Sequence, residues 1–459
     1  MSIGKKSLSL FSRDIVFTLL SLVTGVVITR KLGPVGLGTW AVLDLINNYG
    51  RVFGGLRFEI SSVYFLGQSK YKKGEVIFLI NFVSLICSFF LLIFLANHIA
   101  WIKSIFLKTT DIDQRLIFVL LFHFPILFLK RNYHYFLLAQ EDTTAFNTML
   151  VIQEIINPII SITLLIFFDF GLWALLIGML VGSFISMIYG IIKVHSKVRM
   201  IFFFNTKLFR EMVSFSSKVY FSEGLGFLNI YVSNLTTAAL LSPSALAFFS
   251  MGKGKAEWLN RITSAVSTIL YPRISNLHGA NKDPVTVTTD AFRILLLILC
   301  FVGILFSLFI YPTVLLLYGA EFLPMVPIFF IVLPSLILFS VANLQRQYFL
   351  GIGRTDILLK ISIIPLLLQI GLCFLFIPRY SFLGAAYAAA LTFLLTAILT
   401  IVVYCRLSGA SYKNLLIPSK QDFVLIVRLM KEYFVRWFIR LRRLFSNTDN
   451  MVAEVETEI

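Results

Sequence analysis

Twelve apolar runs, each long enough to cross a bilayer, divide this chain. They fall near residues 10–29, 37–66, 76–97, 114–138, 145–168, 171–192, 211–240, 245–271, 289–311, 325–345, 357–377 and 382–405. A spanning helix needs roughly 20 mostly apolar residues. The expected fold is therefore an all-α polytopic membrane protein of about 12 transmembrane helices. Composition agrees: 58% of the residues are hydrophobic and 14% charged, more apolar than a soluble core accommodates.

The net charge of +17 would suggest nucleic acid in a soluble protein, but in a polytopic chain its meaning depends on where the cations lie. With the N-terminus in the cytoplasm, 27 Lys and Arg fall on the cytoplasmic side and 6 on the other. That asymmetry places both termini inside and leaves no role for nucleic acid. The first run, Ile15 to Ile28, is followed by Thr29-Arg30-Lys31 rather than a small-residue cleavage site, so it reads as a retained span. Cys87, Cys300, Cys373 and Cys405 all sit in apolar runs without metal-like spacing, and no metal site or cofactor is expected.

The halves repeat. Leu32-Gly33-Pro34-Val35-Gly36-Leu37 aligns with Leu241-Ser242-Pro243-Ser244-Ala245-Leu246, Tyr135-Phe136-Leu137 with Tyr348-Phe349-Leu350, and Gly171-Leu172-Trp173-Ala174 with Gly384-Ala385-Ala386-Tyr387. Six spans separate the copies, so the repeat is parallel, with a cleft between the halves. This predicts an N-terminal six-helix lobe at 1–200, a C-terminal six-helix lobe at 201–410 and a central cavity. Beyond them, 411–459 forms a basic amphipathic tail suited to an anionic membrane surface.

Charge inside a span is costly and usually faces a bundle interior or a water-filled cavity. At 100° per residue, Asp44, Asn47, Asn48, Arg51, Glu59 and Ser62 of the second span share one face, with Arg57 off it. The eighth repeats the pattern with Lys253, Glu257, Asn260, Arg261 and Ser264, while Lys255 points elsewhere. The first span offers Arg13 and Asp14 with Thr18, Ser21 and Gly25, and the seventh Lys218, Ser222, Asn229 and Ser233. Candidate substrate ligands are Arg13, Arg51, Lys218, Lys253, Arg261, Asn47, Asn48 and Asn260, because clustered cations and amides suit an anionic headgroup. Asp14, Asp44, Glu59, Glu223 and Glu257 are candidates for balancing those cations or for coupling to a proton or sodium ion. The five histidines form no pair at i, i+4, and no nucleophile or phosphate-loop motif stands out.

Three segments carry a family resemblance: Arg30-Lys31-Leu32-Gly33-Pro34-Val35-Gly36-Leu37-Gly38 after the first span, Gln345-Arg346-Gln347-Tyr348-Phe349-Leu350-Gly351-Ile352-Gly353-Arg354 after the tenth, and Gly384-Ala385-Ala386 opening the twelfth. Through them the chain resembles the polysaccharide biosynthesis flippases, the Wzx-type branch of the multidrug/oligosaccharidyl-lipid/polysaccharide exporter superfamily. The resemblance implies a two-lobed, non-enzymatic transporter in the cytoplasmic membrane that moves a polyprenyl-diphosphate-linked glycan, such as an O-antigen, capsule or exopolysaccharide unit, by alternating access. A glycan polymerase and export machinery would be its partners. In the related lipid II flippases, an Arg and an Asp in the first span and arginines in the second and eighth look like Arg13, Asp14, Arg51 and Arg261 here. Two other readings compete. A membrane glycan polymerase or ligase would want a substantial outer loop, whereas the longest here, near 98–113 and 312–324, are short. A cation-coupled drug exporter of the same superfamily would want a more apolar cavity.

Overall fold

A computed structural model describes residues 3–67, 71–106, 113–140, 142–280, 282–352, 354–417 and 422. Its helices run in the order α1 (Ile3–Phe53), α2 (Phe58–Gly67), α3 (Lys73–Asn97), α4 (Ile99–Phe106), α5 (Gln114–Ala139), α6 (Thr143–Phe167), α7 (Leu172–His195), α8 (Thr206–Leu240), α9 (Pro243–Glu257), α10 (Asn260–Gly279), α11 (Val285–Thr313), α12 (Met325–Gly351), α13 (Thr355–Ser408) and α14 (Tyr412–Leu416). A π-helical turn, Val314–Tyr318, extends α11. No strand occurs among the described residues. Beyond α14 the expected amphipathic tail lies, apart from Asp422, outside the described residues.

Two long helices each hold two predicted spans. α1 breaks at Gly33, whose φ of +63° a side chain would resist, and Pro34 follows with no N–H to continue the ladder. α13 breaks at Ser381 (φ +55°), between the eleventh and twelfth runs. Seven described helices are long and apolar enough to cross a membrane: α3, α5, α6, α7, α11, α12 and α13. The second half of α1, α8 and α9–α10 are not among them, and these are the segments read as carrying polar stripes. Exposed Phe89, Phe90 and Phe94 on α3, Phe301, Leu308 and Phe309 on α11, and Leu367 and Phe374 on α13 give the helices outer faces that only lipid covers well. The chain is a multi-pass membrane protein. Reporter fusions are expected to place both termini and the segment with Lys193, Lys197 and Arg199 in the cytoplasm. An extracytoplasmic signal from that segment would overturn the twelve-span topology.

The chain forms two compact units, one of Met1–Glu257, Phe306–Leu336 and Leu359–Leu395, the other of Trp258–Leu305, Ile337–Leu358 and Thr396–Ile459. In the first, Val42, Leu43 and Leu45 of α1 pack with Leu120 and Phe124 of α5, Leu176 of α7 and Leu246 of α9. A second cluster joins Phe58, Val76, Ile77, Phe136, Leu208 and Met212. Between them Asn132 donates to Asn81, Ser84 and the Ile80 carbonyl, Asn81 donates to Tyr133, and the Tyr133 hydroxyl bonds His195. Such links between spanning helices contribute roughly 0.6–2 kcal/mol each.

The residue that follows the first repeated segment meets that segment's copy in this unit. A Cβ on Gly38 would overlap the Pro243 carbonyl, so backbone lies against backbone where α1 crosses the start of α9. The Arg30 guanidinium donates to the Leu316 and Leu317 carbonyls, which the π-helical turn exposes. In the second unit, Thr289 bonds the Tyr404 hydroxyl at 3.1 Å, and Arg293 joins Asp290 and Asp422.

Candidate functional site

Two helix breaks reshape the predicted stripes. The second span is not one helix: Gly54 and Gly55 end α1, and Leu56 and Arg57 take positive φ (49° and 59°) before α2 begins. Glu59 and Ser62 therefore leave the line through Asp44, Asn47 and Arg51. The eighth span breaks after Glu257, at Trp258 and Leu259. The sequence alignment of Arg51 with Arg261 thus joins the last turn of α1 to the first turn of α10 rather than equivalent turns.

What remains of the first stripe lines a polar cavity of about 360 Å³ within the first unit. α1 contributes Asn47 and Arg51; α5 contributes His123, Lys130, Arg131, His134 and Tyr135; α6 contributes Gln153 and Glu154; α7 contributes Met179 and Ser186. His123 is buried and bridges three helices, bonding Asn47 Oδ1 and Ser183 Oγ at 3.0 Å each. Lys130 donates to Gln153. Arg131 forms a 2.7 Å ion pair with buried Glu59, which also meets Arg57 at 3.4 Å.

Arg51 differs from its neighbours. Among the described residues its guanidinium makes no hydrogen bond or ion pair, and its Nε is buried without a partner. It lies within electrostatic range of Arg131 and Arg57, which repel it, and of Asp44. A half-buried cation in that state is set to accept an anion, since leaving it unpaired carries part of its desolvation cost uncompensated. On the opposite face of the same helix, Leu45, Ile46, Tyr49 and Phe53 line a second, apolar cavity of about 440 Å³, completed by Leu91, Phe94 and Trp101.

The family model for polysaccharide biosynthesis proteins matches residues 27–327, well over half of the chain. The chain belongs to that family. A Shigella flexneri protein named "Putative O-antigen transporter" is 23% identical over 398 residues, covering 84% of this chain and 94% of its own. Among solved structures, the lipid II flippase MurJ in an inward closed conformation superposes with a TM-score of 0.74 at 18% identity, over 94% of this chain and 93% of its own. An inward-facing multidrug resistance MATE transporter of the MOP superfamily gives 0.70 at 16%, over 86% and 94%. The fold is that of these transporters.

The remaining predicted residues of this family member fall in several settings. Asp44 is exposed and accepts from Asn48 at 2.9 Å, so that pair serves itself. Lys253, expected to bind substrate, is buried and committed: it donates to the Ile230 carbonyl (2.7 Å) and Asn234 (3.1 Å), and pairs with Glu257 at 3.5 Å. Asn260 accepts from Ser340, and Arg261 is exposed over the Trp258 ring. The side chains of Arg13, Asp14, Lys218 and Glu223 lie outside the described ones. Arg57, placed off the stripe, is buried in the Glu59 ion pair, and Lys255 bonds the Tyr318 hydroxyl at 2.7 Å, so neither is an idle surface cation.

Sequence reasoning missed Lys130, Arg131, His123, His134, Gln153 and Glu154. Lys130 and Arg131 lie in the apolar run near 114–138 but count among its cytoplasmic-side cations, whereas from α5 they line the cavity. A signal existed: His123 and His134 are eleven apart, three helical turns, which returns to the same face, and Lys130 lies between them.

Proposed function

We propose that this family member is a flippase for a lipid-linked glycan, with the phosphate groups of the carrier lipid held in the cationic cavity of α1, α5 and α6. The observation that supports it most is Arg51, a cation without a hydrogen-bond or ion-pair partner among the described residues, beside Lys130 and Arg131. Arg binds phosphate through paired N–H donors and Lys as a point charge, so the trio suits a diphosphate better than a neutral drug. The name of the Shigella relative and the fold shared with MurJ point the same way. Polyprenyl diphosphate, residence in the cytoplasmic membrane, alternating access and cooperation with a polymerase and export machinery belong to this reading. So does coupling to a proton or sodium ion, for which Asp44 is the described carboxylate that shares the stripe with Arg51.

The apolar cavity behind α1 favours a second reading, export of an apolar compound. One experiment separates them. In a deletion strain, leaflet-resolved analysis of lipid-linked sugar is expected to find assembled glycan confined to the cytoplasmic leaflet. Normal outward movement with a raised sensitivity to apolar drugs would support export instead. Single, unpolymerised repeats accumulating on the outer surface would mark a polymerase.

A further inference from the structure

The segment between α7 and α8 has no regular secondary structure and carries Phe202, Phe203 and Phe204, 82%, 59% and 40% exposed. Three adjacent exposed phenylalanines need a cover. Their setting indicates which. The Ile201 N–H donates to the Gly74 carbonyl at 3.1 Å, fixing the segment to the first turn of α3. A Cβ on Gly74 would overlap the Arg199 carbonyl, so this contact needs glycine. Phe202 then meets Phe78 at 5.6 Å between ring centres, and Phe204 meets Phe82 at 5.8 Å. From Phe82 the outer face of α3 continues through exposed Leu85, Ile86, Phe89, Phe90, Ile93 and Phe94. The triplet is therefore continuous with a face that enters the bilayer, and it lies at that face's polar end.

Around it are the exposed side chains of Lys72, Lys73, Lys193, Arg199, Lys207 and Arg210. The acids close by are engaged: Asp142 pairs with Lys197 at 2.7 Å, and Glu75 accepts from Asn205 at 3.1 Å. Glu211, one residue beyond Arg210, is engaged as well. Aromatic rings at headgroup depth beside a surplus of cations are the arrangement that binds anionic lipid.

We propose that the Phe202–Phe204 segment is an interfacial anchor, its rings seated among the acyl chains and its surrounding cations paired with anionic phospholipid headgroups. Charge decides between this occupant and a soluble protein. A protein partner would have to present an acidic face and also cover rings that run directly into lipid-facing surface.

The test uses the full chain in nanodiscs, with Cys87, Cys300, Cys373 and Cys405 replaced by alanine and an environment-sensitive dye on Phe203→Cys. Blue-shifted emission, quenched by brominated lipid and not by aqueous acrylamide, is expected. Phosphatidylglycerol retained by the detergent-purified protein should be read by native mass spectrometry. The combined Lys193→Gln, Arg199→Gln and Lys207→Gln variant is expected to lower that retention by roughly tenfold or more, since each surface cation contributes about a fivefold gain in binding to anionic lipid. Retention of phosphatidylcholine should not change. Quenching by acrylamide without effect of brominated lipid would overturn the proposal and make the triplet a surface for a protein partner. Equal retention of both lipids by the parent chain would overturn its electrostatic half.

Discussion

Arg51→Ala is expected to abolish most transport while the protein stays inserted and abundant. Arg51 makes no hydrogen bond or ion pair among the described residues, so its removal breaks no such bond and relieves a half-buried charge that Arg131 and Arg57 repel. What it loses is external. Two charge-assisted hydrogen bonds to a phosphate, at roughly 1.5–3 kcal/mol each, correspond to a transport loss of about 100-fold or more. Arg51→Lys keeps the charge without the fork and should fall in between. Transport of lipid-linked glycan into the outer leaflet, normalised to protein level, is the measurement. Wild-type transport by Arg51→Ala at normal abundance would remove the cation cavity from the mechanism. A collapse in abundance would instead show that the guanidinium holds the fold. Arg261→Ala, with Arg261 exposed and stacked on Trp258, carries the smaller expected effect.

Glu59→Ala is expected to do the reverse and fail at the level of folding. Glu59 is 5% exposed and sits between Arg131 at 2.7 Å and Arg57 at 3.4 Å. Removing the carboxylate leaves the buried Arg57 and half-buried Arg131 guanidinium groups without their shared counter-charge, a loss of about 3–5 kcal/mol by analogy with broken buried ion pairs. Set against net stabilities of about 5–15 kcal/mol, that is severe. Thermal aggregation of the detergent-solubilised protein should shift clearly downward, and yield should fall. Glu59→Gln, which keeps a carbonyl acceptor, should lie between. An Ala variant as stable as the parent would mean that water or lipid headgroups already neutralise both arginines. Together the two substitutions separate a charge kept for a ligand from one kept for the fold, although they lie eight residues apart.

Why one stripe was legible and another was not has a physical basis. The spans could be read because bilayer thickness imposes a length that hydropathy shows directly. Asn47 and Arg51 could be read because they stay within one unbroken helix, where the 3.6-residue period holds. Extending that wheel to Glu59 failed because a wheel carries no information across a break. The adjacent Gly54 and Gly55 were the available warning. The break at Trp258 and Leu259 has neither Gly nor Pro at its centre, so the sequence carries no comparable warning there. Lys130 and Arg131 escaped because a basic pair near a span end is ordinarily a positive-inside signal. Only the described cavity, which both line from α5, distinguishes a site from that signal.

The contact of Gly38 with Pro243 has a consequence for how the two repeat copies tolerate change. One side of the contact is the absence of a side chain, which glycine alone supplies. The other side is a backbone carbonyl, which every amino acid supplies. Position 38 should therefore be nearly invariant among family members that share this packing, while position 243 is free to drift as long as its helix still begins there. Two segments descended from one motif would then age at different rates, and the asymmetry would erode the visible repeat from one side first.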